Sequence, residues 1–384
     1  MRWIDTDAEL RALVMQLSDE PAYALDTEFH GERTYWPRLA LVQIAWPGDV
    51  ALVDPFAVDA RLLCELMARP SVMVAHAADQ DLAILQRLCG QPPAVLFDTQ
   101  VAAGFLGMGA PSLGVLVERV LGVRLAKGDR LTDWTSRPLR EEQKVYAAAD
   151  VEHLLALRDA LVEGLERDGR LQWALDECET RRIRDRTRPD VSTAWWKIKG
   201  ARQLRGRSRG VAQELASWRE RTAEGLDVPP RFVLSDLALA ATLQRAPRTR
   251  DDLSDIRGIE SRHLRDGAAD DILRAVAAGS ALDPSELRLP ETDRVDRSLQ
   301  PAVTVLSAWL AQQADELKLD PTVLATRADI AQFLNAGTGR LASGWRADLV
   351  GQPLRRLLEG EATIALANGG RRLRLEPRDG QRDR

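Results

Sequence analysis

Two acids stand one residue apart in the stretch YALDTEFHGE: Asp26 and Glu28, separated by Thr27. The apolar run before them, Tyr23 to Leu25, opens a strand-like stretch reaching Phe29, and on a strand residues i and i+2 share a face. Two carboxylates on one buried face repel each other, and a charge left unpaired in a core is too costly to keep ionised. A divalent cation is the simplest partner, and oxygen-only ligands favour hard ions such as Mg²⁺ or Mn²⁺. Taken alone, the pair fits a solvated strand end equally well. Two later stretches shift that balance. VMVAHAADQDLAIL puts Asp81 at the start of a helix just after a short strand, with Asp79 better suited to a plain first-turn acid. EEQKVYAAADVEHLL puts Tyr146 and Asp150 four residues apart, on one helix face.

The elements that must position these residues alternate in type. Residues 7–17 are amphipathic, and RLALVQIAW and DVALVDP flank Pro47-Gly48, a hairpin signal. Residues 59–68 and 81–88 have a helical period, SVMVAH and AVLFDT read as short strands, and one long helix is expected over about 141–167. Strands interleaved with helices, opened by a hairpin, predict an α/β domain with a mixed sheet over residues 1–175. The charge then shifts. Residues 181–209 hold eleven Lys or Arg and two acids, a net of +9 in a chain of net −5, so 176–209 reads as a basic linker. Beyond about 210 short helices follow one another and repeat at an offset of 91 residues. Leu215, Trp218, Ala223, Leu226 and Pro230 recur as Leu306, Trp309, Ala314, Leu317 and Pro321. Two helical modules are expected, 210–290 and a degenerate 298–375, the latter ending in a β-hairpin around Asn368-Gly369.

Composition bounds the rest. An apolar share of 45% with 29% charged residues suits a soluble globular protein of two or three domains. No run approaches the roughly 18 apolar residues of a membrane span, and acids occupy the start where a signal peptide needs an apolar core. Cys64, Cys89 and Cys178 are few, odd in number and widely spaced, which argues against a disulfide framework and suits a reducing compartment. A cytoplasmic location with no membrane partner is expected; the sequence sets no oligomeric state.

The five chemical residues, in order, follow the pattern of the DEDD exonucleases in their tyrosine variety. The words around them, DTEFHGERTYWPRLALVQIA, VDPF, VAHAADQDL, FDTQVAAGFLG, SLGVLVERVLGVRLAKG, TDWTSRPLREEQKVYAAADVEHLL and WWKIKG, resemble ribonuclease D. SWRERTAEGLDVPPRFVLSDLALAATLQRAP resembles the helicase-and-RNase-D C-terminal (HRDC) module. The resemblance covers about residues 1–360. It implies a multidomain α/β plus all-α protein: a ribonuclease-H-like 3′-5′ exonuclease domain followed by two helical HRDC-like modules. It also implies a 3′-5′ exoribonuclease releasing nucleoside 5′-monophosphates from RNA, in this family tRNA precursors and other small structured RNAs. Four carboxylates can hold two metal ions about 4 Å apart, stabilising both the attacking and the leaving oxygen. Asp26, Glu28, Asp81 and Asp150 are the expected ligands of two divalent ions, Mg²⁺ or Mn²⁺, with Tyr146 aligning the attacking water. Its ordinary pKa, near 10, makes it a poor base at pH 7.

Substrate contacts are more open. Phe29 and His76 either line the pocket for the last bases or serve the core and a strand end. In the basic segment Trp195 and Trp196 are expected to dock on the catalytic domain, while Arg202 and Arg205 meet phosphates. Proofreading and repair enzymes share the four acids, so a DNA 3′-5′ exonuclease is the nearest rival, and a binding protein with lapsed catalysis the next. All five motif residues precede the helical repeat, so a fragment ending near Arg209 is expected to retain the chemistry.

Overall fold

The computed structural model describes residues 1–125, 133–187, 190–290 and 297–378. Its sheet is built from β1 (Arg2–Ile4), β2 (Ala22–His30), β3 (Arg38–Trp46), β4 (Asp49–Val53), β5 (Val72–Ala75) and β6 (Val95–Asp98), in the order β1-β4-β3-β2-β5-β6. β2, β3 and β4 form the antiparallel meander that Pro47-Gly48 predicts, and β1, β5 and β6 join in parallel. The central strands read as almost continuous apolar runs because helices cover both faces.

On one face lie α1 (Asp7–Leu17), α2 (Leu63–Met67) and α3 (Asp79–Cys89), packed on Tyr23, Leu25, Val42 and Ile44. The other face carries α4 (Thr99–Phe105), α5 (Leu113–Leu121), α6 (Glu141–Glu152), α7 (Leu154–Arg167) and α8 (Leu171–Arg182). The single helix expected over 141–167 is broken at His153. α6 packs against Leu41 and Leu52, whereas α7 packs among Val74, Phe97 and Leu116. The break lets one stretch of chain serve two separate cores.

Cysteine usage also differs from expectation. Cys64 on α2 and Cys89 on α3 are joined by a disulfide, with Cα atoms 5.4 Å apart, and only Cys178 is free and buried. Distance along the chain said little here, because both helices cover the same face of the sheet. The cysteines therefore carry no argument about compartment.

The basic segment is not a linker throughout. α8 runs through the boundary expected at 175 and packs on β6. A 3₁₀ stretch, Val191–Lys197, then joins the first helical module: α9 (Arg207–Leu226), α10 (Pro230–Val233), α11 (Asp236–Arg245), α12 (Arg250–Ser254) and α13 (Ala268–Ala281). Trp195 is 1% exposed in that module's core, and both Trp195 and Trp196 donate their indole N–H to the Arg288 carbonyl. The tryptophans thus belong to the module, not to the face of the catalytic domain. The arginines do the docking: Arg181 pairs with Asp98, Arg186 with Asp79, and Arg182 donates to the Pro93 carbonyl.

The second module comprises α14 (Gln300–Glu316), α15 (Pro321–Leu324), α16 (Arg327–Ala336), α17 (Gly344–Arg346) and α18 (Gln352–Leu358). A hairpin of β7 (Ala362–Ala367) and β8 (Arg372–Pro377) closes it, as the Asn368-Gly369 signal predicts. α15 and α16 begin at the same 91-residue offset from α10 and α11 that the sequence repeat displays.

Candidate active site

The acids meet at the C-terminal end of β2, where the sheet stops being regular. β5 pairs with β2 only from Ala22 to Ala24, then leaves the sheet for α3. That leaves the far half of β2 without a neighbour on one side. Asp81, in the first turn of α3, fills the gap: its Oδ1 accepts from the Thr27 N–H at 3.1 Å and the Thr27 hydroxyl at 2.5 Å. A side chain therefore completes what a strand would have bonded. On the other side Asp26 pairs with Gln43 and Glu28 with Leu41, and a bulge follows between Glu28 and Phe29. Bulges beside functional sites re-aim side chains. Asp150 and Tyr146 come from α6, which lies across β2, β3 and β4.

Buried Asp98 sets the turn that delivers α3. It accepts from the N–H groups of Ala77 (3.1 Å) and Ala78 (3.0 Å), from Gln100 and Val101 at the start of α4, and from Arg181 at 2.9 Å. Ala77 sits at φ 55°, a conformation a non-glycine residue adopts only when its surroundings hold it there. Sequence reasoning passed over Asp98. Its only signal was an acid at a strand-to-helix step, in FDTQVAAGF.

The electrostatics bind the four acids into one group. Burial, then the charges of Asp81, Asp150 and Glu28, hold Asp26 well above the ordinary carboxylate range, against the Thr27 N–H. Burial followed by Asp150 and Asp81 pushes Glu28 up to about 8. Asp81 rises to about 6 because burial outweighs its bonds from Thr27, and Asp150 rises to about 6 because burial outweighs the Tyr146 hydroxyl. Tyr146 goes up to about 12 through burial, then Asp150, Glu28 and Asp26. Gln43, opposite Asp26, is fully buried with neither end of its amide partnered by protein.

This set fits a hard divalent cation: every donor is oxygen, Asp26 and Glu28 are disfavoured as anions by burial and by Asp81 and Asp150, and Asp81 and Asp150 chiefly by burial. Among the described residues no three His, Cys, Asp or Glu side chains are arranged so that together they could hold a metal ion as they stand, and Asp81 is turned to Thr27.

The other expected contacts scatter. Phe29 is half-buried on β2 beside the bulge. His76 is held at both ring nitrogens, by the Thr99 hydroxyl (2.9 Å) and the Pro111 carbonyl (3.1 Å), the strand-end alternative. Burial keeps its pKa low. Arg205 lies exposed before α9 and donates to the Leu204 carbonyl, in a segment built around the helical module. The side chain of Arg202 is outside the described residues, as are 126–128 and Thr132 of the family words.

Residues 1–166 match the family model for a 3′-5′ exonuclease, and residues 208–276 match that for the HRDC domain. The fold and the acids at its centre thus define a ribonuclease-H-like 3′-5′ exonuclease with helical modules appended. Two relatives named ribonuclease D are 38% identical (Gluconacetobacter diazotrophicus; 95% of this chain, 92% of the relative) and 37% identical (Jannaschia sp.; 97% and 98%). The solved structure of Escherichia coli RNase D, described as an exoribonuclease involved in structured RNA processing, superposes with a TM-score of 0.81 at 33% identity. It covers 93% of this chain and 98% of that one. The chain belongs to the ribonuclease D family, and it is a 3′-5′ exoribonuclease. Enzymes of this exonuclease superfamily use divalent metal ions.

Proposed function

We propose that Asp26, Glu28, Asp81 and Asp150 are the metal ligands of this exoribonuclease, that they hold two ions, Mg²⁺ or Mn²⁺, and that Tyr146 aligns the attacking water. The observation that carries this reading is the convergence of β2, α3 and α6, which brings four carboxylates, all raised by burial, to the unpaired edge of β2, where Asp81 and Asp150 further raise Asp26 and Glu28. When bound, the ions supply positive charge that eases ionisation of water and neutralises the leaving 3′-oxygen. The chain does the rest. Asp26 and Glu28 leave β2 on one face and fix the cluster's centre. Asp81 is held by Thr27 and can release one bond to turn inward. The Tyr146 hydroxyl, bonded to Asp150 and far too weak an acid to act as a base at pH 7, holds the water in line with the scissile phosphorus. Each cycle frees a nucleoside 5′-monophosphate and leaves a new 3′-hydroxyl.

The substrates are tRNA precursors and small structured RNAs, and the protein works in the cytoplasm. The name of the Escherichia coli structure, which speaks of structured RNA, supports structured RNA as substrate, and membership of the ribonuclease D family supports the location. No helix among the described residues is long and apolar enough to cross a membrane. Phe29 beside the bulge contacts the terminal base. Residues 298–375 act as a second, degenerate HRDC-like module. The test is digestion of a 3′-extended tRNA, a short RNA and a matched DNA, each with Mg²⁺ and with Mn²⁺, products resolved by length. Stepwise shortening of RNA with mononucleotide release is expected. Preferential digestion of DNA, or no metal-dependent release, overturns the reading.

A further inference from the structure

A brace runs from the end of β4 to Tyr146. Asp54 closes β4 and is 6% exposed; its carboxylate accepts from the Phe56 N–H and, through both oxygens, from Arg137 at 2.7 and 2.8 Å. Arg137 spends its remaining donors on backbone carbonyls: Trp134 at 2.8 Å, Ser136 at 3.0 Å and Ala40 at 2.7 Å. A guanidinium has five N–H donors, so none is left over. The family words VDPF and TSRPL are thereby joined across 83 residues. What this fork holds in place is Trp134. Its ring is 7% exposed and stacks on Tyr146, with centroids 6.2 Å apart and planes 27° from parallel. Leu41 and Leu52 of the sheet, with Ala147 and Ala148 of α6, close the cluster around the pair.

We propose that Asp54, Arg137 and Trp134 form a brace that sets the direction of the Tyr146 hydroxyl, making Arg137 and Trp134 positioning residues for RNA hydrolysis. This rests on the role given to Tyr146 above. A tyrosine on a helix face can swing about its first side-chain torsion, and an aligned water demands that it does not. A flat neighbour stacked on the ring removes that freedom. The neighbour is held by the cluster around it and, through its backbone carbonyl, by an arginine already locked by a buried acid.

The test is a double-mutant cycle on the full chain with Mg²⁺, using a 3′-labelled single-stranded RNA. Trp134→Leu, Trp134→Phe and Arg137→Lys are each made alone and with Tyr146→Phe. Single-turnover rate, RNA Kd and thermal melting are measured for each. Trp134→Leu should slow the chemical step about tenfold with Kd changed less than about twofold. Trp134→Phe, which keeps a flat ring, should recover most of the rate. Arg137→Lys, which keeps the charge but loses the fork, should fall between. In the Tyr146→Phe background Trp134→Leu should cost less than about twofold more, because the hydroxyl it positions is gone. Equal losses in both backgrounds, or none in either, overturn the brace. A wild-type rate for Tyr146→Phe alone would instead sink the role of Tyr146. Where Trp134→Leu does not fold, Arg137→Lys takes its place in the cycle, and equal losses or none overturn the brace there too.

Discussion

The two helical modules repeat each other's elements yet meet the exonuclease domain in opposite ways. The second shares its core. Trp345 packs edge-on against Phe105 of α4 and stacks on Trp173 of α8, and Leu306, Leu310 and Phe333 belong to the same apolar cluster as Leu157 and Leu161. Arg346, 8% exposed, and Arg340 both bind Glu177, while Arg170 donates to the carbonyls of Phe105 and Leu317. The fit is close enough that Gly107, at φ 72°, would drive any Cβ into the Lys318 carbonyl at 2.5 Å. The first module, the one that matches the HRDC family, touches through polar groups. Tyr35 donates to Glu220 and Asp227, Arg231 donates to the Glu32 carbonyl, and the charges of Glu224 and Asp227 act on Arg87 of α3. Glu32 and Tyr35 fall in the β2–β3 loop, a few residues beyond Glu28. Likeness of sequence thus says little about use. The module without a family match shares the core of the catalytic fold, and the one that matches the HRDC family meets it through the β2–β3 loop and α3.

The largest expected effect lies in neither module and fixes the baseline for both. Asp26→Asn or Asp150→Asn should cut RNA hydrolysis by on the order of 10³-fold or more with the three-part fold intact. Near-normal turnover at saturating metal would move the chemistry elsewhere. Next, Trp345→Ala should cost about 3–5 kcal/mol of stability, since a buried ring is lost from a shared core. Denaturant unfolding checks it, and a loss under about 1 kcal/mol would mean the weld is superficial. For the same reason a fragment ending near Arg209 should not be the self-contained nuclease that motif positions suggest. It strands Phe105 and Trp173 without their partner, and low solubility or a depressed Tm should follow.

Tyr35→Ala with Arg231→Ala is the matching test of the first module. A stability loss of about 1–2 kcal/mol is expected, together with a several-fold rise in KM for a tRNA-sized substrate and no change on a short oligonucleotide. Equal losses on both would make this module, too, a support of the fold. The smallest shift concerns pH. A carboxyl whose folded pKa is raised binds its proton more tightly when folded, so its stabilisation is complete below the unfolded pKa and is lost as pH rises through the folded one. With Asp81 and Asp150 at about 6 and Glu28 at about 8, wild-type Tm in EDTA should decline between about pH 4 and 8. Asp26→Asn should flatten that decline and Trp345→Ala should leave its slope alone. An unchanged slope in Asp26→Asn would mean that the acids do not repel as a group.

Much of the site was legible before any folding. Strand period put Asp26 and Glu28 on one face, helix period put Tyr146 and Asp150 on another, and both periods act between residues no more than four apart. The terminal hairpin was legible for the same reason, and the repeat at 91 residues because the same run of residues recurs, which needs no knowledge of contacts. What holds the acids was not. Thr27 meets Asp81 across 54 residues, Asp98 meets Arg181 across 83, and Asp54 meets Arg137 across 83. Nor was the pairing of Cys64 with Cys89, or the transfer of Trp195 from the catalytic face to a helical core. Local spacing decides which side chains can share a face of one element. Which elements then face each other depends on how apolar surfaces bury over the whole chain, and that sum is taken only in the folded molecule.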